Sequence, residues 1–171
     1  MKKQGLKDWT IMIYMAGDNN LSADMAYSLA ELSRIQNDDL NLLVYYDGAT
    51  PNAPTLYCDF TETDEPIFIP SDLITNKKYT STDRRNSNTQ SDENSATTNS
   101  LLNFINWCVN DTNYDIAVSG KTFTKEHFGR RAKKYCLILS GHSSAFQNIK
   151  RPAVICIPAC MAGRQQTRLG Y

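Results

Sequence analysis

The stretch Trp9 to Met15, WTIMIYM, decides how the rest of the chain is read. It is rich in β-branched and aromatic residues and shows no alternation of apolar with polar, the pattern of a strand covered on both faces. Ala16-Gly17-Asp18-Asn19-Asn20 follows, with turn chemistry and side chains able to cap a helix. Leu21, Met25, Leu29 and Leu32 are then spaced by four, four and three, so a helix presents one apolar stripe to the sheet. Asn37-Asp38-Asp39 ends it. Leu40 to Tyr46, LNLLVYY, is a second covered strand, closed by Asp47-Gly48. Strand, helix and strand in this order form a βαβ unit with a right-handed crossover.

Leu56 to Phe60 and Pro66 to Pro70 are two short runs around a polar turn, which predicts a hairpin. Ser71 to Ser100 is Ser/Thr/Asn-rich, and from Thr80 to Ser100 only Ala96 is apolar. Such a segment buries too little surface to offset its ordering entropy, so a mobile polar insertion is expected over residues 71–100 rather than a domain boundary. Leu101, Leu102, Phe104, Ile105, Trp107, Cys108 and Val109 then make a strongly apolar helix. Tyr135 to Leu139 (YCLIL) reads as a third covered strand and Ala153 to Ile157 (AVICI) as a fourth. The expectation is a single α/β domain over residues 1–171, with a mainly parallel sheet of about four strands and flanking helices.

The 171 residues carry 18 Lys plus Arg against 18 Asp plus Glu. A net charge of zero argues against a nucleic-acid binder held by phosphate contacts. The longest apolar stretch, Trp9 to Gly17, falls well short of the roughly 20 residues that cross a bilayer, so no membrane partner is expected. Lys2 and Lys3 before an apolar run resemble a signal peptide, but Lys7 and Asp8 interrupt it and no small-x-small cleavage site follows. A cytoplasmic location is the expectation, with secretion as the alternative if the amino terminus is incomplete. The sequons at Asn20 and Asn110 then carry no meaning. Five cysteines, mostly within apolar runs, do not form the dense framework of a secreted scaffold.

In a parallel sheet the carboxyl ends of the strands line the crevice where ligands bind. Here those ends carry Gly17-Asp18-Asn19, Asp47-Gly48, Gly141-His142 and Ala159-Cys160. If the last two strands are parallel neighbours, an imidazole and a thiol emerge on one rim, where His142 can take the proton of Cys160. Gly141 lets a backbone N–H approach a developing oxyanion. By default Asp18 and Asp47 are capping and turn residues, and His142 alone is more often a turn residue than a catalyst. His127, within TKEHF, reads as a polar surface residue without a role. The run Arg130, Arg131, Lys133, Lys134 reads as a solvated lead-in to a strand.

WTIMIYMAGDNNL, NLLVYYDG, LLNFINWC and YCLILSGHSSAF together resemble the clostripain-type cysteine peptidases of the caspase-like clan. The likeness runs from about Trp9 to Gln147, with polar insertions at Ser71 to Ser100 and around Thr112 to Lys134. It implies an incomplete caspase-like fold, with the family's second half missing or replaced after about residue 147. It also implies endopeptidase activity after Arg or Lys, a peptide or protein substrate, and a His/Cys dyad whose His falls on His142. Some members of the family use calcium; no calcium site or other cofactor is identifiable in this sequence. The family's nucleophile follows an Asp-Ala-Cys-like step, whereas this chain has Pro158-Ala159-Cys160. Processing after a basic residue beyond the His is also implied, and Lys150 suits it better than Arg151, which precedes Pro152.

Three readings remain open from the residues. The first is a working peptidase with His142 and Cys160 as its dyad, lined by Gly141, Asp18 and Asp47. The second is a truncated or inactive peptidase-like scaffold without a competent nucleophile, open to a segment that completes its sheet. Its support is the short link from Leu139 to Ala153: if those strands pair antiparallel, Cys160 goes to the opposite end from His142. The third is a metal- or partner-binding module using Cys156, Cys160, His127 and His142. Cys156 and Cys160 would lie about 13 Å apart along a strand, which fits no tight zinc spacing, so no metal is expected.

Overall fold

A computed structural model describes residues 6–35, 38–49, 54–61, 66–75, 93–141 and 153–158. The elements in chain order are β1 (Lys7–Gly17), α1 (Ser22–Leu32), β2 (Leu40–Gly48), β3 (Leu56–Asp59), β4 (Ile67–Pro70) and α2 (Ser71–Thr75). They continue as α3 (Thr98–Val109), β5 (Thr112–Val118), β6 (Lys121–His127), β7 (Ala132–Gly141) and β8 (Ala153–Pro158). Six strands form one sheet in the order β4-β3-β2-β1-β7-β8, while β5 and β6 form a separate ribbon.

WTIMIYM is buried on both faces, as its composition requires. Met12 and Tyr14 point into one core with Leu43, Tyr45, Tyr57, Phe104, Trp107 and Leu137. Ile13 and Met15 point into the other with Leu42, Val44, Cys58, Phe60 and Met25. Successive strand side chains face opposite sides, so one uninterrupted apolar run supplies both cores. Helix α1 covers the second core through Met25, with Leu21, Leu29 and Leu32 packed around it. Helix α3 covers the first through Phe104, Trp107 and Cys108, and starts at Thr97, whose side chain accepts from the Ser100 N–H. The result is a sheet between two helical layers.

The α/β class holds, but the sheet is mixed rather than mainly parallel. β1 pairs in parallel with β2 and β7, whereas β2–β3, β3–β4 and β7–β8 are antiparallel. Both departures follow from connection length. The hairpin Leu56–Asp59 and Ile67–Pro70 extends the sheet antiparallel from β2. Between Gly141 and Ala153 the chain has too few residues for a packed helical crossover, and antiparallel return is the pairing a short link favours.

The polar stretch 71–100 also differs from expectation at its ends. It opens with α2, and from Glu93 onward it is built into the domain: Glu93 and Ser100 are buried, and Ser100 Oγ donates to the Asn94 carbonyl at 2.8 Å. Its middle, 76–92, lies outside the described residues. The segment from Thr112 is the β5–β6 ribbon, turning through Ser119 and Gly120, both with positive φ.

The ribbon's return to the sheet depends on Gly129. A Cβ there would lie 2.4 Å from the Val109 carbonyl carbon and 2.5 Å from the Asn110 nitrogen, both backbone atoms that cannot swing aside. Gly129→Ala is therefore expected to cost about 1–3 kcal/mol as an overpacking change. Urea unfolding measures it; an unchanged midpoint would contradict the close approach.

Candidate functional site

The carboxyl ends of the three parallel strands lie side by side. Ala16 is in register with Asp47 on one side and with Gly141 on the other, and Gly17 is paired with Gly48. Asn19 shapes the turn after β1: its Nδ2 donates to the Ala16 carbonyl at 2.9 Å and its Oδ1 accepts from the Leu21 N–H at 2.8 Å. Ser22 Oγ accepts from the Ala49 N–H at 2.9 Å, tying the start of α1 to the end of β2. Gly17 is required here, because a Cβ would meet the Met25 sulfur at 2.6 Å and the Asp47 carbonyl at 2.8 Å. Gly141 is exposed, and its backbone runs close to the Ala16 carbonyl, 3.1 Å from where a Cβ would sit.

Asp47 and Asp18 are both buried at this rim. Thr55 Oγ1 donates to Asp47 Oδ1 at 3.2 Å and accepts from the Glu93 N–H at 2.8 Å, and Tyr57 donates to Glu93 Oε2 at 3.3 Å. Tyr14 donates to the Ser95 carbonyl at 2.8 Å and stacks on Tyr45, ring centroids 4.2 Å apart. Burial pushes the Tyr14 hydroxyl far above its ordinary range, opposed in part by hydrogen bonding, with the charges of Glu93 and Asp47 adding to the rise. Burial does the same to Tyr45, with the charges of Glu93 and Asp47 adding to the rise. These tyrosines stay protonated. They belong to the packed core beneath the rim, next to the buried carboxylates of Asp47 and Glu93.

Gly141, Asp18 and Asp47 thus share one rim. His142, Cys160 and Lys150 lie outside the described residues. The strands that lead to the first two run in opposite directions: Leu139 pairs with Ala153 and Lys134 with Pro158. Pro158 is therefore beside a residue seven positions back along β7 from Gly141, about 23 Å at the usual rise per residue.

The buried contacts of Glu93 and of the Asp59 cluster were not legible in the sequence. Asp59, at the end of β3, lies beside Leu43, back along β2 from Asp47. Arg130 Nε donates to Asp59 Oδ2 at 2.7 Å, and the Thr61 N–H donates to Oδ1 at 2.9 Å. His127 is not a surface residue. Its side chain is 1% exposed, stacked on Trp107 with centroids 4.1 Å apart, and its Nδ1 is 3.8 Å from Asp59 Oδ2. The spacing along β6 gives no signal of this, since Phe123 and Lys125 on the same face are exposed. Burial, reinforced by the Asp59 charge, pushes the Cys108 and Cys58 thiols up, so neither is a nucleophile. Among the described residues no group of His, Cys, Asp and Glu is placed to hold a metal ion. No described helix is long and apolar enough to cross a membrane.

No family model and no curated protein matches the chain. A solved B. fragilis cysteine protease is similar with a TM-score of 0.43 and 16% identity, over 85% of this chain and 96% of that one. At that score and identity, neither a shared fold nor a shared chemistry follows.

Proposed function

We propose that this chain is a domain of a clostripain-type cysteine endopeptidase acting after Arg or Lys. The observation that carries the reading is the aligned rim of β2, β1 and β7, where buried Asp47 and exposed Gly141 flank Ala16 and His142 follows immediately. In this reading His142 takes the thiol proton and the thiolate attacks the scissile carbonyl. The Gly141 backbone lies beside the oxyanion, and His142 returns the proton to the leaving amine before water releases the acyl group. Asp47, or Asp18, pairs with the basic side chain before the cut bond. Cys160 is the nucleophile and Lys150 the processing position.

The antiparallel register of β7 and β8 favours a second reading, a peptidase-like scaffold in which Cys160 is not delivered to the rim. Hydrolysis of Arg- and Lys-reporter peptides by the full chain separates the two. A working dyad is expected to lose at least about a thousandfold in rate in both Cys160→Ala and His142→Ala. The same incubations would then show a break after Lys150 by mass spectrometry. Equal traces from all three proteins, with the chain intact, leave the scaffold.

A further inference from the structure

Every residue of β6 before His127 is exposed, and a two-stranded ribbon is marginal by itself, so what holds its base matters. The base is the imidazole of His127, laid flat on Trp107 with an interplanar angle of 15°. Apart from a contact with the Trp107 backbone, neither ring nitrogen has a hydrogen-bond partner among the described residues. The 3.8 Å to Asp59 is too long for a hydrogen bond, and both Asp59 oxygens already accept, from Arg130 and from the Thr61 N–H. We infer that His127 is a proton-operated fastener, holding the β5–β6 ribbon against α3 while its ring is neutral and releasing it when the ring is protonated.

The groups facing the ring come from each element packed around it. They are Asp59 at the end of β3, Arg130 after β6, Asp111 between α3 and β5, and on α3 the Trp107 backbone beside the protonated Cys108 thiol. Burial, the largest influence, disfavours the imidazolium; Asp59 favours it, Arg130 opposes it, and the Trp107 backbone and Asp111 add smaller support. The net direction is down from the ordinary value of 6.5. A histidine depressed in the fold takes up its proton more readily once released. Its contribution to stability is complete above the unfolded value near 6.5 and is lost as pH falls through the folded one. Because His127 is the buried residue of β6, the loss falls on the ribbon before the sheet.

The test uses the full chain with Trp9→Phe, leaving Trp107 as its only tryptophan. Tryptophan emission, the His127 ring proton signals and amide exchange are followed between pH 8 and 5. One transition is expected in emission and ring signals together, with its midpoint below 6.5. Across it, β5–β6 amides should lose at least tenfold in exchange protection, corrected for the intrinsic pH effect, while β1 and β2 amides keep theirs. His127→Phe, which keeps a ring on Trp107, should abolish the transition, and His142→Gln should leave it in place. The inference is overturned if the transition survives His127→Phe. Titration of the His127 ring with no change in ribbon protection, or with a midpoint above 6.5, overturns it equally. The wild-type ring signals serve even if the Phe variant folds poorly.

Discussion

Trp107→Ala is expected to lower the unfolding free energy by about 3–5 kcal/mol, a magnitude that belongs to aromatic truncation in a packed core. The indole is 2% exposed and meets three other rings. Tyr57 stands edge-on at 5.3 Å, Phe104 lies at 6.3 Å, and the His127 imidazole stacks at 4.1 Å. Its removal opens a void between α3, the sheet and the ribbon that no single neighbour can fill. The indole nitrogen has no hydrogen-bond partner among the described residues, so the N–H is not what the site rewards. Trp107→Phe should therefore cost under about 1.5 kcal/mol, as a shape change that keeps most of the area. Urea denaturation at constant slope measures both. Equal losses in the two variants would mean that packing is not what Trp107 supplies.

Asp59→Ala is the second large effect, about 3 kcal/mol. The carboxylate is 1% exposed, and its removal leaves the Arg130 guanidinium without its 2.7 Å partner in a poorly solvated position. The figure sits at the low end of the range for broken buried pairs because the Arg130 side chain is 21% exposed and can reach some water. The backbone of Arg130 is held independently. Its N–H donates to the Cys108 carbonyl at 2.7 Å, and its carbonyl accepts from Thr10 Oγ1 and from Asn41 Nδ2. Substituting the Arg130 side chain therefore tests the charge without unpicking the chain path. The double variant Asp59→Ala, Arg130→Met should be more stable than Asp59→Ala alone, since the charge that lost its Asp59 partner is gone. If the second substitution instead adds to the loss, the lost-partner account fails.

The parts of this molecule that could be read from the sequence are those where one local pattern has one structural meaning. An unbroken run such as WTIMIYM or LNLLVYY is apolar on both sides of the pleat, so it needs cover on both sides. The spacing Leu21, Met25, Leu29, Leu32 supplies part of that cover, and both statements hold in the packing. Strand direction has no such local signature. YCLIL and AVICI look alike whether they run together or in opposition, and the pairing is decided by the segment between them. The burial of His127 was not legible, because TKEHF is polar, its same-face neighbours Phe123 and Lys125 are exposed, and its cover, Trp107, is remote in the chain. Glu93 was hidden within a polar stretch, where its buried bonds to Tyr57 and Thr55 depend on contacts remote in the chain. The shared placement of Gly141, Asp18 and Asp47 was legible because strand ends are visible in sequence and carboxyl ends of parallel neighbours fall on one rim.

The first strand of the chain is also the central one, and that has a cost during synthesis. β1 finds β2 soon after it emerges, since the two are joined by a single helix. Its other neighbour, β7, begins at Ala132, so one edge of WTIMIYM stays bare until more than a hundred further residues have left the ribosome. Loop closure over that length adds only modestly to the equilibrium cost, because the penalty grows with the logarithm of length. The wait is another matter: translation at about 5–20 residues per second leaves this apolar ribbon of backbone unpartnered for several seconds. During that interval the nascent chain is at its most adhesive, and its fate then rests on how quickly residues 132–141 arrive to close the gap.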